Sequence, residues 1–137
     1  MALLLIKKMI TIIIDTNFFM ILHKNKIDIV EGIKLLVSEE HRILTFTGVV
    51  DELESISKHS RGSDGIAANV ALELIEREEI DVVESSGDVD DFIIRYVDEE
   101  ESGNIMVCTA DAELKKELMG YGIKFICMHS KNKLGFC

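Results

Sequence analysis

Apolar positions change period along this chain, and the changes mark out its elements. Ile10–Ile14 is an almost unbroken β-branched run, the pattern of a strand buried on both faces. "NFFMILHK" follows as a short helix with Asn17 in the N-cap position. In "IVEGIKLLVSEE", Ile29, Ile33, Leu36 and Val37 recur at helical spacing. "RILTF" (42–46) reads as a short strand, and "GVVDELESISK" as a helix with Val49, Val50, Leu53 and Ile56 in one stripe. "HSRGSDG" (59–65) reads as a loop, and "DGIAANVALELIEREE" as a long helix with Ile66, Val70 and Leu74 turned inward. "IDVVE" (80–84) is a strand and "SSG" a turn. "DVDDFIIRYVDEEE" is a helix burying Val89, Ile93, Ile94 and Val97. "NIMVCT" (104–109) is a buried strand, "DAELKKELMG" a helix closed by its glycine, and "IKFICM" (123–128) the last strand. "HSKNKLGFC" carries no assignable pattern.

Strands alternating with helices predict an α/β fold: one domain over 1–137, a three-layer sandwich with a central, mainly parallel sheet flanked by helices. Such sheets bind ligands beyond the carboxyl ends of their strands. Asp15 follows the first strand directly, and Asp111 lies just past the strand ending at Thr109.

Composition narrows the chemistry. Four scattered histidines and an odd count of three cysteines, with no CxxC and no HExxH, speak against a zinc enzyme. Cys108, Cys127 and Cys137 are expected to be reduced thiols of a cytoplasmic protein. "MALLLIKKMITIII" has too short an apolar run for a secretory signal, and no stretch reaches the ~18–20 apolar residues of a membrane span. Met9 is an alternative start, since the first strand begins just after it. No Gly-rich phosphate loop is present.

The remaining chemistry belongs to the acids. Two unit charges ~4 Å apart repel by ~4 kcal/mol at an effective dielectric of ~20. Several carboxylates sharing one pocket therefore stay partly protonated or take a cation between them. All-oxygen sites suit Mg²⁺ or Mn²⁺, which retain waters and bind phosphate oxygens. That combination fits metal-assisted phosphodiester hydrolysis. Singly, each acid has a plainer reading. Asp15 would cap the next helix, Asp111 would favour a helix dipole, and Glu52 and Asp91 would be solvated.

Taken in order, "IIIDTNFFM", "VVDELESIS", "DDFIIRYV" and "MVCTADAELKKEL" resemble the PIN domain family of metal-dependent ribonucleases. The matching positions are Asp15-Thr16-Asn17, Glu52-Leu53, Asp91 before Ile93-Ile94, and Thr109-Ala110-Asp111 with Leu114. The compact form is similar to the archaeal branch near the small-subunit rRNA-processing nucleases, with VapC-type toxins of toxin–antitoxin pairs next. The resemblance implies an endoribonuclease with an acidic quartet of Asp15, Glu52, Asp91 and Asp111. It implies Mg²⁺ or Mn²⁺ held by Asp15, Asp91 and Asp111, with Asn17 and Thr109 orienting the acids. Asp51 and Glu54 flank Glu52, and Asp90 adjoins Asp91; a helix turns about 100° per residue, so one neighbour alone faces a pocket.

The net charge of −10 opposes nucleic-acid binding. Seven of the 25 acids lie between Asp88 and Glu101, whereas basic residues gather at Lys24/Lys26, Lys58–Arg61, Lys115/Lys116 and Lys131/Lys133. The last three groups are expected to guide RNA, pooled across a homodimer. An antitoxin or an RNA-processing protein is the expected partner, and no membrane. Two readings compete: a non-catalytic PIN-like binding module in an RNA-processing assembly, and an acid-pocket phosphatase. The phosphatase reading suffers because Asn17 stands where a second acid is needed.

Overall fold

Six strands form a single sheet in the order β3-β2-β1-β4-β5-β6. The computed structural model describes residues 9–77, 80–100, 104–130 and 132–137. Positions 1–8, Glu101 and Lys131, which entered the sequence reading, lie outside the described residues. The strands are β1 (Ile10–Ile14), β2 (His41–Phe46), β3 (Ile80–Val83), β4 (Ile105–Cys108), β5 (Lys124–Ser130) and β6 (Lys133–Phe136). The first five run parallel and β6 runs antiparallel to β5.

Helices α1 (Thr16–Lys24), α2 (Ile29–Leu36), α3 (Thr47–His59), α4 (Ser63–Arg77), α5 (Val89–Glu99) and α6 (Ala112–Leu118) connect the strands. Helices α1, α3 and α4 pack on one another, and α5 packs on α6, giving an α/β sandwich. β1 is central. Ile12, Ile13 and Ile14 are fully buried, as a β-branched run between two helical layers requires. Ile13 is in register with Leu44 of β2 and Val107 of β4. From β1 the chain winds outward through β2 and β3, then returns to the other side of β1 as β4. The switch point lies at the carboxyl ends of β1 and β4.

Several details depart from the pattern reading. The N-cap of α1 is Asp15, whose carboxylate accepts the Thr16 N–H, and not Asn17. The stretch read as a loop over 59–65 already contains the first turn of α4. Helix α4 buries Gly65, Ala67, Ala68, Ala71 and Ile75, while Ile66 is 57% exposed. Its packing against both α1 and α3 selects small side chains that let helices approach closely. Helix α6 runs into a 3₁₀ turn, Met119–Tyr121, and the left-handed cap at φ 69° is Gly122 rather than Gly120.

The unassigned tail supplies β6, whose Leu134 packs against Gly32 of α2. Antiparallel pairing sets Cys127 opposite Gly135 and brings Cys137 to a Cα–Cα distance of 6.0 Å from Cys127. These two cysteines form a disulfide, correcting the expectation of three reduced thiols; Cys108 is free and buried. Pairing of β6 on β5 joins residues that sequence spacing left unconnected. Among the described residues, no helix is long and apolar enough to cross a membrane.

Candidate active site

The chain leaves β1 at Asp15 and turns at once into α1, so this acid sits where strand and helix meet. It is 5% exposed. Its Oδ1 accepts the Thr16 N–H at 2.7 Å and its Oδ2 accepts the Thr109 hydroxyl at 3.0 Å. Burial raises its pKa above the ordinary carboxylate value; the two donors pull it down, and Glu52 and Asp111 push it up further. Asp15 is therefore both the helix cap of the plainer reading and a member of an acidic cluster.

Thr109 is fully buried just past β4. Its Oγ1 also accepts the Asp111 N–H at 3.0 Å, so one hydroxyl ties the end of β1 to the loop before α6. Asp111 caps α6, its Oδ1 accepting the N–H groups of Glu113 and Leu114 at 2.9 and 3.3 Å. Asn17 Oδ1 accepts the Ala110 N–H at 3.3 Å, fixing α1 against the same loop.

The third and fourth acids come from helices. On α3, burial of Val49 and Leu53 turns Glu52 toward the cleft. Glu52 Oε1 accepts the Thr16 hydroxyl. Asp51 and Glu54 do not line the cleft, so the acid of the Glu-Leu pair is the one that faces it. On α5 the outcome differs. Val89, Ile93 and Val97 are buried. Asp91 lies about 200° around the helix from both Val89 and Ile93, and it is exposed. Asp90 lies about 60° from Ile93, and it lines the cleft. The structure therefore brings Asp90, not Asp91, to the cluster. Desolvation first, then the charges of Asp15, Asp111, Asp88 and Glu52, raise the Asp90 pKa from 3.8 to about 6.

The resulting cleft, about 550 Å³, is lined by Asp15, Glu52, Asp90 and Asp111 together with Thr16 and Asn17 on the α1 side. Lys24, Ser60 and Asp64 extend it. Sequence reasoning named Asp91 with Asp90 as its open alternative, and gave no site role to Thr16, Lys24 or Asp64. The angular position of Asp90 was readable from the apolar stripe of α5; the partnership of Thr16 with Glu52, far apart in the chain, was not.

The donor set is all oxygen, which suits a hard divalent cation. Among the described residues, no three His, Cys, Asp or Glu side chains form a ready cation cage. The acids line an open mouth instead, which fits an ion that keeps several of its waters. Repulsion among these acids adds to desolvation in raising Asp90 to about 6, and a cation among them would offset it.

Comparison with known proteins agrees with this fold. Residues 12–131 match the family described as PIN like domain. The chain is 30% identical over 125 residues to Ribonuclease VapC4 of Methanocaldococcus jannaschii, covering 90% of this chain and 93% of that protein. It is 32% identical over 111 residues to Ribonuclease VapC9 of Archaeoglobus fulgidus, covering 81% and 77%. The PIN domain endonuclease Utp24 superposes with a TM-score of 0.77 at 25% identity, over 92% of this chain and 90% of that one. A central sheet with its switch point between β1 and β4, an acidic cleft at that point and a family match along most of the sequence lead to one assignment: the chain belongs to the PIN-like domain family.

Proposed function

We propose that this protein is an endoribonuclease that hydrolyses RNA phosphodiester bonds with Mg²⁺ or Mn²⁺. The observation that carries the proposal is the convergence of Asp15, Glu52, Asp90 and Asp111 on one cleft at the switch point of the sheet. The ribonuclease names of two relatives and the endonuclease name of the structural neighbour support the substrate class. The acidic quartet is that expected from the sequence with Asp90 in place of Asp91.

Asp15, Asp90 and Asp111 would hold the cation. Bound there, it would neutralise charge on the scissile phosphate and make an attacking water more acidic. The protein's own groups do the positioning. Thr16 N–H and the Thr109 hydroxyl fix both oxygens of Asp15. The Thr16 hydroxyl occupies Glu52 Oε1, leaving Oε2 to accept a proton from water. Asn17 keeps the loop carrying Asp111 in place. Water attacks phosphorus in line and the P–O3′ bond breaks. The 3′ oxygen takes a proton, leaving a 5′-phosphate and a 3′-hydroxyl.

The test is cleavage of a mixed-structure RNA in Mn²⁺, Mg²⁺ or EDTA, with wild type beside Asp111→Asn. The expected result is cutting with metal only, 5′-phosphate ends, and an inactive variant that retains its circular dichroism. Equal cutting by both proteins, or none by either, overturns the proposal in favour of a binding module. Fragments mapped from total RNA would separate a role in rRNA processing from that of a toxin paired with an antitoxin.

A further inference from the structure

Among the described residues, one cationic side chain lines the acidic cleft. Lys24 is that single Lys, Arg or His, set against Asp15, Glu52, Asp64, Asp90 and Asp111. Asn17, Met20, Ile21 and Lys24 lie on one face of α1 because they follow the i, i+3, i+4, i+7 rule, and all four line the cleft. Lys24 ends the helix that Asp15 begins, roughly 13 Å away along the axis. It therefore stands well apart from the place where a phosphodiester would be cut.

Its ammonium is engaged. Lys24 Nζ lies 2.6 Å from Asp64 Oδ1, in the first turn of α4, and the two side chains are 48% and 54% exposed. A pair this wet is worth about 0–1 kcal/mol, so a competing anion displaces the carboxylate at little cost. RNA is a polyanion, and five acids in the cleft repel it. A cation set off from the cutting position would hold a neighbouring phosphate along the strand and draw the backbone into register.

We infer that Lys24 is a subsite for an RNA backbone phosphate, and that Asp64 holds its ammonium until that phosphate takes its place. The inference rests on the nuclease reading of the same cleft. It makes Asp64 a brake on binding rather than a member of the reacting group.

The experiment measures equilibrium binding of a fluorescein-labelled single-stranded oligoribonucleotide in EDTA, by anisotropy across a salt series. The proteins are wild type, Lys24→Gln, Asp64→Asn and Lys34→Gln. Lys34 is a control for net charge: it lies beside His41 and Arg42 at the start of β2, at the opposite end of the sheet. Lys24→Gln is expected to bind roughly fivefold more weakly, and to lower the slope of log K against log salt by about 0.7, the value for one single-strand phosphate contact. Asp64→Asn is expected to bind about threefold more tightly, because it frees an ammonium for phosphate. If Lys24→Gln matches Lys34→Gln in affinity and slope, the subsite is overturned. If Asp64→Asn binds no tighter than wild type, the brake is overturned. Cutting of the same oligonucleotide by wild type in Mn²⁺ is read separately. Cutting without a Lys24 effect removes the subsite alone, and Lys24-dependent binding without cutting removes the nuclease reading alone.

Discussion

The Thr109 hydroxyl donates to Asp15 Oδ2 at 3.0 Å and accepts the Asp111 N–H at 3.0 Å, joining residues 94 apart in the chain at the switch point of the sheet. Thr109 is fully buried, so water cannot substitute for it. Thr109→Val keeps the shape and removes both bonds. It leaves a buried carboxylate oxygen and a backbone N–H short of a partner, a loss of about 1–3 kcal/mol. Urea denaturation is expected to show that loss, with RNA cleavage falling as Asp15 is released. Thr109→Ser, which keeps the hydroxyl, is expected to stay near wild type. A valine variant as stable as wild type would show that this bond contributes nothing net.

Asp90 and Asp91 are adjacent in sequence, but Asp90 lines the cleft and Asp91 faces solvent. Asp90→Asn is expected to reduce cleavage about 100-fold or more, because it removes a carboxylate from the cleft. Asp91→Asn is expected to stay within about threefold of wild type; its cost is the favourable charge in the first turn of α5, about 0.3–1 kcal/mol of stability. Initial rates for the two variants in one metal buffer decide the matter. Equal losses would mean that α5 rotates when substrate binds.

The raised pKa values set a pH dependence whose sign changes with metal. Asp90 moves from 3.8 to about 6, and Asp15 is raised as well. In metal-free protein the folded state then holds protons that the unfolded chain has released. Stability therefore falls as pH rises from about 4 to 6. Asp90 is half-buried at the cleft wall, and screening by the solvent it still meets keeps its share to on the order of 1 kcal/mol. A bound cation needs these carboxylates ionised, so its stabilisation grows over the same window. Melting curves are expected to show a larger Mn²⁺-induced rise in Tm at pH 7.5 than at pH 5. An increment independent of pH would place the cation elsewhere.

What the sequence made legible depended on whether the deciding contact was local. β1 and Asp15 could be read because a β-branched run ending in an acid needs no partner to be recognised. The rotation of α5 was equally local: Val89, Ile93 and Val97 point Asp91 outward, but the apolar pair Ile93-Ile94 drew attention to the wrong neighbour. Helix α4 misled by size. Ile66 and Val70 are bulky and β-branched, yet Ala67, Ala68 and Ala71 carry the same periodicity and, with Ile75, are the ones buried. Thr16 with Glu52 and Lys24 with Asp64 are long-range pairings that need the packing of α1 on α3 and α4 before they can be seen. Cys127 with Cys137 needs the pairing of β6 on β5, which the patternless tail did not announce.

The close approach that decides the face of α4 also positions the rim of the cleft. A Cβ added at Gly65 would stand 2.4 Å from the backbone oxygen of Ser60. Backbone cannot swing aside as a side-chain tip can, so Gly65→Ala must push the start of α4 away from the end of α3. Overpacking of this kind costs about 1–3 kcal/mol. Ile66, one position along, is 57% exposed, and Ile66→Ser is expected to change stability by less than about 0.5 kcal/mol. Chemical denaturation of the two variants should therefore rank them opposite to what their volumes suggest: the smallest addition is the more damaging change. An Ile66→Ser variant that unfolds, beside a fully stable Gly65→Ala, would restore Ile66 to the core and overturn the packing described for α4.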